Sequence, residues 1–196
     1  MFDYINLFLN YIDSGKFFRQ PFKWLYYIIG VLNICFPIAL INSISEYWSY
    51  LDGKMKAGCV MLVIFILIVA AICCVIWFQR AGDIKRDARN DARFIALPVI
   101  ANYIQTIGES LGVLVGLGGF FVGLTVILFG EDLKYILSVA DAGGFMIVLS
   151  PIVGYLVVVF FRSIAELNLA LASIANNTKS IDNKLKDNNR PEIIEM

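Results

Sequence analysis

The sequence predicts an all-α protein: a four-span transmembrane helical bundle with an N-terminal interfacial helix and cytoplasmic helical extensions. Three observations predict it. Residues 22–43, 57–78, 110–129 and 142–161 are nearly unbroken apolar sequence, each close to the ~20 residues that a hydrocarbon core requires. With 59% of its 196 residues hydrophobic, the chain has room for one membrane bundle and no separate soluble domain. Lys and Arg also avoid every second connection: of 16 such residues, only Lys54, Lys56 and Lys134 lie between spans one and two or between spans three and four. The positive-inside bias therefore places both termini and the middle connection in the cytoplasm. The expected organisation is an interfacial amphipathic helix at 1–15, a membrane bundle at 22–162 with a cytoplasmic hairpin at 80–109, a cytoplasmic helix at 163–186 and a flexible tail at 187–196.

Asp3, Asn6, Asn10 and Asp13 are spaced to lie on one line of a helix that is otherwise apolar, a pattern suited to the membrane interface. The first residues lack a basic n-region and a small-residue cleavage site, so span one is expected to be retained. Trp24, Tyr26 and Tyr27 form an aromatic belt at one boundary, and Tyr47, Trp48 and Tyr50 form one at the other. Within span one, Pro37 is expected to kink the helix, with Asn33 bonding a freed carbonyl or a neighbouring helix.

The middle connection repeats with a period of four. Asp83, Asp87 and Asp91 write an acidic stripe, and Lys85, Arg89 and Arg93 a basic one, since residues four apart nearly superpose on a helix. Such a surface suits contact with a second copy or a partner. Matching helical arms on either side of residues 94–97 predict a projecting antiparallel hairpin, with Pro98 in the first turn of the returning arm. On that arm Asn102, Gln105 and Glu109 share one face, the candidate lining of a pore or vestibule. Glu109 has Arg93 or a lipid headgroup as its expected partner. Gly108, Gly112 and Gly116, followed by Gly119 and Gly123, are small-residue lines that allow close helix packing.

Asp141 is the expected N-cap of span four, and Pro151 is expected to bend that span. Beyond the span, Ile164, Leu167, Leu171, Ile174, Thr178, Ile181 and Leu185 alternate by three and four. This is a coiled-coil seam with one polar position. It can join copies, hold a partner or pack on the hairpin of its own chain.

Arg162-Ser163-Ile164-Ala165-Glu166, leading into a helix that ends Asn176-Asn177-Thr178, resembles the tails of small bacterial inner-membrane proteins in which an Arg-x-x-x-Glu helix follows the last span. The resemblance implies a multi-pass protein of a bacterial plasma membrane. It implies no activity and no catalytic residue.

The chemistry expected is spare. The chain contains no His, which removes the usual general base at neutral pH. Cys35, Cys59, Cys73 and Cys74 fall within or beside apolar spans, without the spacing of a disulfide framework or a zinc site. No catalytic residue, metal or cofactor is expected. Basic residues are interleaved with acids, which excludes a nucleic-acid partner. The expected function is a non-enzymatic accessory or docking subunit in the lipid bilayer, a homo-oligomer that also offers its cytoplasmic helices to a protein partner. The alternative is a small oligomeric ion channel or pore-forming effector with Glu109 near its cytoplasmic entrance.

Overall fold

The structure, a computed structural model, describes residues 5, 16–86, 96–129 and 143–188. The expected interfacial helix (residue 5 apart), the hairpin tip with Asp87, Arg89, Asp91 and Arg93, the Asp141 cap and the tail from 189 lie outside the described residues. Helix α1 (Lys16–Tyr47) ends in a 3-10 turn (Trp48–Tyr50) and is followed by α2 (Gly53–Arg86). Helix α3 (Ala96–Val113) passes through a π-turn (Leu114–Gly118) into α4 (Gly119–Phe129), and α5 (Gly143–Asn188) is one 46-residue helix. Four helical stretches are long and apolar enough to cross a membrane, and the chain is a multi-pass membrane protein.

Local chemistry accounts for the helix ends and the proline sites. Asp52 caps α2: its carboxylate accepts the Met55 N–H at 2.7 Å, and its carbonyl accepts the Lys56 N–H at 3.0 Å. Pro98 sits in the first turn of α3, where its missing N–H costs nothing. Helix α1 continues through Pro21 and Pro37, and α5 continues through Pro151. The Asn33 amide donates to the Ile29 carbonyl at 2.8 Å. The carbonyl left free by Pro37 belongs to Asn33 itself, so the side chain satisfies its own amide rather than the proline's orphan.

The spans form an open row. Helix α1 packs on α2 and touches α3 at one end, α2 packs on α3 and α4, and those two pack on α5. The aromatic contacts Tyr26–Trp77 and Phe65–Phe121 mark the antiparallel pairings, the latter stacked with centroids 4.3 Å apart. Burial follows position in the row: 33% of the apolar window of α2 is buried, against 6% for that of α5. The outer helix therefore offers most of its surface to lipid or to another chain.

The glycine lines supply the closest packing, and their partner is α5. A Cβ on Gly108 would meet the Cβ of Phe161, one on Gly112 the side chain of Val158, and one on Gly119 the hydroxyl of Ser150. At the backbone crossing a Cβ on Gly154 would lie 2.5 Å from the Gly112 carbonyl oxygen and 2.6 Å from Gly116 Cα. Here backbone meets backbone, and only glycine permits the approach. Gly123 crosses Gly143 and Met146 near the far end.

Carried past Gly108 and Phe161, this antiparallel register brings α3 beside the part of α5 that follows the span. Ala101, Ala165 and Ala172 are all buried there. The side of α5 used within the chain is thus an alanine side. From Leu167 onward the seam residues face elsewhere: Leu167 is 65% exposed, Leu171 60% and Ile174 61%, while Ile164 is half-buried.

Candidate functional site

Where α1, α2 and α3 meet, polar side chains converge on a small aromatic core. Tyr26 and Ala81 are fully buried and Trp77 nearly so, with Phe22, Tyr103 and Ile107 packed around them. The Tyr26 ring meets the rings of Trp77 and Tyr103 edge to face, at 5.2 and 5.8 Å between centroids. The hydroxyls of Tyr26 and Thr106 are hydrogen bonded at 3.4 Å, while the Thr106 hydroxyl also donates to the Asn102 carbonyl at 2.7 Å. The Trp77 indole N–H donates to the Ser110 hydroxyl at 3.2 Å, and the Cys73 thiol points its weak donor at the Ser110 carbonyl. A buried indole or phenol needs such a partner, because an unpaired donor in a dry site is costly.

One turn farther toward the boundary, Arg80 grips Glu109 with two nitrogens. Arg80 Nε donates to Glu109 Oε2 at 3.1 Å, and a terminal guanidinium nitrogen donates to Oε1. Gln105 adds a third donor to that carboxylate at 2.9 Å, and Asp83 lies 3.7 Å from the other side of Arg80. The two ionic side chains are only 27% and 21% exposed. The bidentate fork suits a guanidinium at a place where neither charge keeps full hydration.

The structure pairs Glu109 with Arg80 of α2; Arg93, the partner expected from the sequence, lies outside the described residues. Asn102, Gln105 and Glu109 share a half-buried face of α3, as their spacing requires, and the Gln105 and Glu109 head groups engage within the chain. Of the striped segment, Asp83 is described and neighbours Arg80, and Lys85 lies in the last turn of α2. The residues that sequence reasoning misses are Arg80, Trp77, Ser110, Tyr26 and Thr106. One signal points to the first of them: Arg80 and Glu109 stand at matching distances from the expected hairpin tip.

This constellation holds helices together. Every buried side-chain nitrogen and oxygen among the described residues has a hydrogen-bond partner, so each is already engaged in packing. Among the described residues there is also no cluster of three or more Cys, Asp or Glu that could hold a metal ion. Deeper in the spans, an apolar crevice of about 580 Å³ opens between α1, α2 and the π-turn, lined by Asn33, Phe36, Val69 and Val115 among others.

The second candidate site is the seam on α5. Arg162 and Glu166 pair at 3.3 Å where the helix leaves the apolar span, and Lys186 pairs with Asp182 at 2.7 Å near its end. Both pairs are exposed and stabilise the helix only slightly. Between them the seam residues stand on a helix whose other positions include Glu166, Asn168, Ser173, Asn177, Lys179 and Lys184. That composition belongs in water, and at 1.5 Å per residue the 162–188 segment reaches about 40 Å from the span. No family model, no curated protein and no solved structure matches this chain.

Proposed function

We propose that this chain is a non-enzymatic membrane accessory subunit that anchors a docking helix, with the inner pair of spans serving as its mount and the 163–188 part of α5 as its working surface. The observation that carries the proposal is the exposed seam. Leu167, Leu171, Ile174, Ile181 and Leu185 are each between 58% and 65% exposed, on a segment too polar to lie in lipid. Fully burying one such side chain stabilises a complex by about 1.5–3 kcal/mol, so a row of five is a strong reason for association.

The polar clasp and the glycine crossing support this reading by fixing the root of the helix. Arg80–Glu109 and Trp77–Ser110 join α2 to α3, and the glycines of α3 and α4 join that pair to α5. The bias of Lys and Arg and the resemblance of the tail support a bacterial plasma membrane with both termini, and hence the docking helix, in the cytoplasm.

The test is accessibility in intact membranes. Cysteine introduced at Ile174 should react with a water-soluble maleimide several-fold more slowly than cysteine at Lys179, which lies off the seam. Equal rates would mean that nothing docks on the seam.

A further inference from the structure

We propose that what covers the seam is the same seam on further copies of this chain, joined in parallel and in register in an assembly of more than two. This rests on the docking reading and names its partner. The three-four alternation assigns Ile164, Leu171, Thr178 and Leu185 to the first core position of each heptad, and Leu167, Ile174 and Ile181 to the second. Knobs with this repeat fit the holes of a helix with the same repeat, and an identical chain supplies one.

The polar position is already prepared for burial. Thr178 donates its hydroxyl to the Ile174 carbonyl of its own helix at 2.9 Å. Covering it therefore leaves no donor without an acceptor.

The flanks of the seam favour self-association over a partner chosen by charge. On one side they are Ser163, Ala170, Asn177 and Lys184, and on the other Asn168, Ala175 and Asp182. In a parallel, in-register pairing Ala170 faces Ala175 of the next copy and Asn177 faces Asp182, so no like charges oppose each other. A seam selecting a charged partner would carry charges at these positions, where partner choice is set.

The number follows from the shape of the core residues. From Leu171 onward, leucine occupies the first core position and isoleucine the second wherever the core is aliphatic, an order that favours three or four strands over two. The exposed Ala170 widens the apolar face beyond a two-stranded stripe. Direction is set by the bilayer. All copies insert with one topology, and each docking helix continues its own span without a break, so the seams stand side by side at one height and at high local concentration. The intramolecular contact uses the Ala165 and Ala172 side, half-buries Ile164 and leaves the seam open from Leu167 onward.

The experiment uses the full chain in membranes, with copper-phenanthroline oxidation to a disulfide and the unsubstituted protein, which keeps its four native cysteines, as control. Ile174→Cys should give a product of two chains, Lys179→Cys far less, and particles extracted with their lipid should weigh as three or four chains. A cross-link to a protein of another mass would overturn self-association while leaving docking intact. Particles of two chains would overturn the number. Absence of any product, with Ile174→Cys labelled as fast as Lys179→Cys, would overturn docking as well.

Discussion

Arg80 and Glu109 are 29 residues apart in sequence and closed on each other in space, where α2 leaves the apolar layer and α3 enters it. Each is the charge that would otherwise be hardest to place at that depth. Their pairing satisfies both and fixes the register of the two antiparallel arms. With Trp77 and Ser110 one turn below, it makes the inner pair of spans a rigid mount for the outer helix.

The first expectation concerns that pair. Either Arg80→Gln or Glu109→Gln should destabilise the protein by about 1–2 kcal/mol, the lower part of the range for charge-assisted bonds because the pair is partly exposed. The double variant should lose less than the sum, with a coupling on the order of 1 kcal/mol. Thermal unfolding in lipid discs measures this, and simple additivity would show that the pair contributes nothing.

Ser110→Ala should cost about 1–3 kcal/mol, because it strands the Trp77 N–H in a buried site. In a Trp77→Phe background the same change should be much milder. The bond from Cys73 goes to the Ser110 backbone and survives the substitution. An undiminished cost in the Trp77→Phe background would mean that the serine acts through some other contact.

Two glycine substitutions should move stability in opposite directions. Gly154→Ala would set a methyl 2.6 Å from Gly116 Cα, and overpacking of this kind costs about 1–3 kcal/mol. Gly82→Ala meets nothing within 4 Å and should stabilise the protein by about 0.5–1 kcal/mol through helix propensity. If the two variants melt together, backbone contact between α3 and α5 does not limit stability.

For a docking subunit, Glu109→Gln should leave cation flux through protein-bearing liposomes unchanged, since the carboxylate is committed to Arg80 and Gln105. A change in cation selectivity would put Glu109 on an ion path.

Much of the fold is legible in the sequence because it is set locally. Span length and the placement of Lys54, Lys56 and Lys134 are properties of short windows, as is the Pro98 helix start. The glycine lines are equally visible, but nothing local says that Gly112 and Gly116 meet Gly154 rather than another copy. The partner of Glu109 escapes a sequence reading for a related reason: Arg93 lies nearer in the chain, and only the matched lengths of the arms bring Arg80 alongside. Asp52-Gly53 before an apolar run is a readable cap. The seam can be read from its period, but the side that α5 turns to its own chain cannot. Ala165 and Ala172 carry little apolar signal, yet their small size is what lets α3 and α5 close.

The most direct test of docking is the mass of the particle released with its native lipid, for the wild type and for Leu171→Asp. Leu171 is exposed and takes no part in the polar clasp, so insertion and folding should be unaffected. Docking requires that the wild-type particle exceed one chain and that Leu171→Asp reduce it toward one. A wild-type particle of a single chain, or one whose mass Leu171→Asp leaves unchanged, would contradict it.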